Sequence, residues 1–384
     1  MGTLFRDWLK QTTLGANSNS DLVSLFFRQV FELLRSNGTL GLISTKTIRQ
    51  GDTRLTGLKW ICDNGGVIYN AQRRKSWPGV AAVIVSVVHI QKLAIASLRT
   101  AFILDGKEVP KITGFLFHTG GNDNPFQLNE NSGKSFIGCF VRGMGFTFDD
   151  LKEEASPLQE MNRLVEKNSE NAERIFPYIG GDEVNSSPTH SHHRFAINFE
   201  EMPLRRDGDL SSWQSSTSLE RRDMLRDGIV PSDFDGPVAS DWPDLLEIVK
   251  RKVRPGRNKL KDSGVDAGHK KKWWLYANSR PELQRAIAGL DEVLMVGRNA
   301  DRMGFTFLPT GMVYSDQAVI FPLGTYAAYC CCQSRSHEEW VRFFASSMKD
   351  DLRYSPTDAF ETFPFPSHVV AHSLRSRRSS WALV

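Results

Sequence analysis

The chain has 384 residues and a mass of 43.3 kDa, enough for about two domains and a sizeable core. With 40% apolar and 24% charged residues and a net charge of +4, it is neither globally disordered nor fibrous. The longest apolar run, residues 80–88 with one serine, falls far short of the about 20 residues of a membrane helix, and residues 1–10 lack the apolar core of a signal peptide. A cytoplasmic protein is expected. The five cysteines form no CxxC pair, and Cys330, Cys331 and Cys332 are consecutive. Neither a disulfide framework nor a metal site is expected, and the thiols read as small buried side chains.

Ser18, Asn19 and Ser20 offer caps for a first helix with Asp21 in its first turn, and Leu22, Val23, Phe26, Val30, Leu33 and Leu34 recur at helical spacing until Gly38. Residues 40–43 read as a short buried strand. A second helix follows from Asp52 or Thr53 to Gly65-Gly66, then a strand over 67–71, a basic loop over 72–79 and a strand over 80–90. The short loop between the last two strands predicts an antiparallel pair at the end of a parallel α/β sheet. No strand or Gly-rich turn precedes the first helix, so residues 40–43 are expected at a sheet edge.

Beyond residue 95 the texture changes. A hairpin is expected around Asp105-Gly106, and helices over 157–169, from 241 through Val253, over 281–290 and over 336–347. Short strands are expected near 293–296, 305–308 and 318–321. Residues 211–241 read as a mobile polar insertion and 367–384 as a disordered tail. Between Lys250 and Lys272 lie ten Lys or Arg against two Asp, a local charge of +8 that leaves −4 for the rest. Clustered cations suit a polyanion, because meeting phosphates releases counterions; a solvated charged loop is the alternative.

Several segments carry a resemblance. They are Asn19-Ser20-Asp21-Leu22-Val23, Gly38-Thr39-Leu40-Gly41-Leu42-Ile43, Gln50-Gly51-Asp52-Thr53-Arg54 and Trp77-Pro78-Gly79-Val80. Further along come Gly143-Met144-Gly145-Phe146, Pro177-Tyr178-Ile179-Gly180-Gly181, Trp273-Trp274-Leu275-Tyr276 and Phe360-Glu361-Thr362-Phe363-Pro364-Phe365-Pro366. In this order, over residues 5–366, the chain resembles the C-terminal part of Type IIG/IIL-like, phage-exclusion-like adenine-specific DNA methyltransferases. The resemblance implies a fold class: a partial class I (Rossmann-like) α/β methyltransferase sheet over 1–95, followed by an α+β target-recognition domain over 96–366. It implies restriction–modification or phage-defence function, double-stranded DNA as partner and S-adenosylmethionine as cofactor of the complete enzyme.

That family also needs a Gly-rich donor turn and an Asn/Asp-Pro-Pro-Tyr/Phe tetrapeptide, which accepts hydrogen bonds from the adenine amino group. The chain contains no Pro-Pro dipeptide, and Asn124-Pro125-Phe126 reads as a turn. The expectation is therefore a chain inactive alone: a specificity module acting with a separately encoded N-terminal half, a fragment, or a remnant. By resemblance Trp77 stacks on the flipped adenine, with an ordinary interface tryptophan as the alternative. Arg73, Arg74 and Lys75, and in the basic segment Arg254, Arg257, Lys259, Lys270, Lys271 and Lys272, are the candidate DNA contacts. The histidines at 190, 192 and 193 lack the cysteine or carboxylate partners of a metal site. Neither a GxSxG elbow nor a GxxxxGK[ST] loop occurs.

Overall fold

The computed structural model describes residues 3–13, 15–17, 19–78, 83–93, 101–345, 347–348, 351–366 and 369. Its contacts group the chain into two compact units. One comprises Met1–Gln127 with Glu339–Phe363, the other Leu128–Glu338 with Pro364–Val384. The first unit extends past residue 95 because the Asp105-Gly106 hairpin joins its sheet.

That sheet has five strands: β1 (Thr39–Thr45), β2 (Gly66–Ser76), β3 (Ile84–Lys92), β4 (Phe102–Leu104) and β5 (Lys107–Val109), in the order β1-β3-β2-β4-β5. β3 is antiparallel to both β1 and β2, so those two run the same way with the reversed strand between them. β4 lies parallel to β2, and β5 returns antiparallel. The expected antiparallel pair is thus present, and β1 stands at the edge, bonded among the described residues to β3 alone. The strand before the pair is longer than expected: β2 continues to Ser76 through the stretch read as a loop. Residues 80–82, expected as the start of the strand over 80–90, and Gly79 before them lie outside the described residues.

Asp21 caps the helix Leu22–Leu33 by accepting from the Val23 N–H. Its buried face is Ser24, Phe27, Arg28 and Phe31, one position round from the stripe read in the sequence, and Phe26 and Leu33 are exposed. Between β1 and β2 the chain is helical over 46–49 and 51–63, with a π turn at Leu55–Lys59. Phe27, Phe31, Ile48, Leu58 and Ile61 close one core with Ile68, Val88 and Ile90 of the sheet.

The second unit holds two four-stranded sheets and a short parallel pair. One sheet is fully antiparallel, with Phe305–Pro309, Glu292–Gly297, Ala318–Phe321 and Phe136–Ile137 in that order. The other orders Val313–Tyr314, Ile175–Ile179, Arg194–Ile197 and Thr147–Phe148. The helices Leu158–Lys167, Pro243–Lys252 and Pro281–Ile287 lie where apolar spacing put them. The polar stretch 211–241 is ordered rather than mobile. Thr217 and Glu220 form a capping box on the helix Ser218–Asp227, and the Trp213 and Phe234 rings meet edge to face. The segment 254–271, read as a charged loop or polyanion surface, folds as two short helices, Arg254–Asn258 and Gly264–Lys271. Of the tail from 367, Val369 alone is described. No helix among the described residues is long and apolar enough to cross a membrane.

Candidate DNA interface

In the first unit the candidate residues gather where β2 leaves the sheet. The β2–β3 ladder slips between Gln72 and Lys75, a bulge that leaves Arg73 and Arg74 outside the regular register. Arg74 carries a φ of 51°, an uncommon conformation for a side chain of this size, and is exposed. Arg73 is committed: its backbone N–H and Nε donate to the two oxygens of Asp105 at 2.6 and 2.7 Å, and Nη1 reaches the Leu116 carbonyl. Its guanidinium serves the β4–β5 turn first, and any phosphate would compete with that carboxylate. Lys75 is exposed. Trp77 follows, its backbone N–H bonded to the Val83 carbonyl at 2.9 Å and its indole 44% exposed, with no ring partner among the described residues.

Arg49 was missed in the sequence. It closes the 3-10 turn Lys46–Arg49 that follows β1. The register Thr45–Val85–Lys75 places the end of β1 level with the bulged end of β2. Arg49 is half-buried, its Nε enclosed without an acceptor. Burial, then the charges of Arg73 and Arg74, lower its pKa. The signal available in sequence was only its place after a strand, at the carboxyl end where open α/β sheets bind ligands.

Asn124 has its side-chain oxygen occupied. Arg54, fully buried, spans the Asn122 carbonyl at 2.6 Å and the Asn124 side chain, and lies 3.6 Å from the centre of the Phe115 ring. Burial pushes its pKa down to about 10. The buried anchor is Arg54; Asn124 and Phe126 are themselves exposed, in a stretch without regular structure.

In the second unit the basic segment divides its cations between core and surface. Arg257 is 2% exposed; its Nη2 donates to the Val141 and Leu275 carbonyls, and burial pushes its pKa down to about 10. It ties the core together and is withdrawn from any phosphate, which corrects its place among the surface contacts. Trp273 and Trp274 are likewise core residues, Trp274 donating to the Met202 carbonyl. Arg254 is exposed with its guanidinium 5.2 Å from the Trp273 ring centre, and Lys259 is exposed. Lys270 pairs with Asp262 and Lys271 with Asp227, each at 2.6 Å. Lys272 instead lines an open cleft of about 560 Å³ with Arg222, Arg226, His269 and the acidic Glu201, together with Leu225, Leu275 and Tyr276.

The Gly180-Gly181 pair, read as a turn between strands, links the strand Ile175–Ile179 to the helix Gly181–Ser186. Buried Glu183 accepts from the Gly180 N–H at 2.8 Å and from Arg194 Nε at 2.5 Å. Burial pushes the Glu183 pKa up, but the Arg194 and backbone hydrogen bonds outweigh it and hold the carboxyl below its ordinary value. Among the histidines, His190 bonds the Val184 carbonyl and His192 packs on Phe195. No group of three or more His, Cys, Asp or Glu among the described residues is placed to hold a metal.

Two comparisons join this geometry to known proteins. Residues 279–367 match the model of the MmeI target recognition domain. The solved structure of the Type IIL restriction–modification enzyme MmeI in complex with DNA is similar in fold, with a TM-score of 0.66 and 16% identity over 95% of this chain and 45% of that one. The type IIG restriction endonuclease BpuSI matches with a TM-score of 0.30 and 11% identity over 94% of this chain and 43% of that one. The chain spans less than half the length of either. No curated protein matches. The expected resemblance holds for the Type IIL enzyme MmeI, and the matched target-recognition segment supports a role in DNA modification or specificity. The basic segment 250–272 lies outside the matched residues.

Proposed function

We propose that this chain carries the target recognition of an adenine-specific N6 DNA methyltransferase of the restriction–modification kind, and binds duplex DNA. The match of residues 279–367 to a target recognition domain carries the reading. The fold likeness to MmeI over most of the chain supports it. The first unit is read as the C-terminal half of a class I methyltransferase sheet. Its two co-directional strands with a reversed strand between them, and its open β1 edge, suit the flank of such a sheet.

Base chemistry inside a duplex requires extrusion of the base, and an exposed indole beside a basic bulge suits a stacking platform for it. Trp77 fills that role in this reading, and Arg74 and Lys75 hold the strand nearby. S-adenosylmethionine would supply the methyl group when bound, but no residue of this chain is assigned to it, because the Gly-rich turn and the Pro-Pro tetrapeptide are not in the sequence. Those parts come from polypeptide outside these 384 residues, and the chain alone transfers no methyl group. Two assays on the whole chain test this. Fluorescence anisotropy with mixed-sequence duplex should show salt-dependent binding, and labelled S-adenosylmethionine should leave no label in that DNA. Absent binding would overturn the DNA-recognition reading, and label in adenine would overturn the assignment of the catalytic parts elsewhere.

A further inference from the structure

Three arginines stand at the carboxyl ends of β1 and β2, and one of them holds the neighbouring carboxylate. Arg73 takes both oxygens of Asp105. Arg49 and Arg74 have no carboxylate partner among the described residues, and the buried Nε of Arg49 has no acceptor. Buried donors are normally satisfied, so an enclosed guanidinium nitrogen without an acceptor, in the field of two further cations, is a poor structural device on its own. The bulge that exposes Arg74 holds a left-handed residue where glycine would sit without strain. Unpaired charge and backbone strain thus coincide at one end of the sheet, three residues before Trp77, a span of about 10 Å in extended chain.

We propose that Arg49 and Arg74 form a phosphate-binding site that grips the backbone phosphate next to the nucleotide held by Trp77. The inference rests on the DNA reading and deepens it. Guanidinium groups suit phosphate because their planar forks donate two parallel hydrogen bonds. An arriving phosphate would offset the mutual repulsion of Arg49 with Arg73 and Arg74. The same chemistry could serve the phosphate of a free nucleotide; the exposed indole nearby favours a strand, whose base and phosphate are held together.

The test uses the full chain, a labelled duplex with one unpaired adenine, the matching single strand, and adenosine monophosphate as competitor. Arg49→Met and Arg74→Gly should each reduce the magnitude of the log K against log salt slope for duplex by about 0.9. Arg49→Lys should restore most of that slope. Arg74→Gly should keep or raise the melting temperature, because glycine accepts the left-handed backbone, so weaker binding by that variant cannot be loss of fold. Unchanged slopes in both variants, with wild type binding duplex, would overturn the phosphate site and leave the DNA reading standing. Variant-sensitive binding of the single strand without duplex binding would keep the site and overturn duplex recognition. Binding of neither overturns both. Displacement of DNA by adenosine monophosphate at comparable concentration would overturn the strand assignment in favour of a nucleotide.

Discussion

Glu183 shows how much one side chain can hold. Its carboxylate joins the Gly180 turn to Arg194, and the Arg194 guanidinium lies 4.6 Å from the centre of the Tyr178 ring. Removing one partner of a buried ion pair strands the other, so Glu183→Ala should destabilise the protein by about 3–5 kcal/mol and Glu183→Gln by less. The sign with pH follows from the depressed folded pKa. The carboxylate's contribution is present above its unfolded pKa and is lost as pH falls through the folded value. The gap in melting temperature between wild type and Glu183→Gln should therefore narrow as pH falls below about 4. A constant gap down to acid would exclude the charge as the cause. Gly228 makes a second single-residue case. It ends the helix Ser218–Asp227 with φ of 76°, and a Cβ there would lie 2.4 Å from the Trp274 ring. Gly228→Ala should cost about 2 kcal/mol by clash and backbone strain, measured by denaturant unfolding.

Scaled up to the element, the basic segment separates cations that the sequence could only count. Ten cations in 23 residues suggested one surface. In the folded helices Arg257 points inward, Lys270 and Lys271 answer acidic neighbours, and Lys272 faces a cleft with Arg222 and Arg226. Partnered lysines at the surface contribute little net charge to an incoming phosphate. Lys272→Ala should then flatten the duplex salt slope by about 0.9, and Lys270→Ala by clearly less. Equal effects from the two would return the segment to a uniform charged face; no effect from either would make it a solvated one. The turn residues behaved differently. Asp105-Gly106 was legible as a hairpin because its conformation is local, whereas the slip at Arg73 and Arg74 was not, since a bulge depends on the partner strand's register.

Across the whole molecule, what could be read from the sequence was what depends on near neighbours. Apolar spacing and the β2–β3 pair were there to be read, while the first helix takes its cap from Asp21, one residue past the serines and asparagine that the sequence offered. The composition of the two units was not, because distant segments share one core. Phe343 lies 226 residues or more beyond Phe115 and Phe117, and its ring centre is 5.0 Å from each of theirs. Polar content misled at 211–241, where a capping box and the Trp213–Phe234 contact supply order that hydrophobicity averages do not register. The interleaving has a measurable consequence. Phe343→Ala removes an aromatic from the cluster of Phe115, Phe117 and Phe344, a loss of about 2–4 kcal/mol for a partly buried ring. Amide hydrogen exchange should show the lost protection first at residues 102–117, far away in sequence, because those amides share the first unit's core with the substituted ring. Were exchange instead to rise only within the substituted helix, residues 339–363 would be an appendage, and the first unit would be built from the N-terminal segment alone.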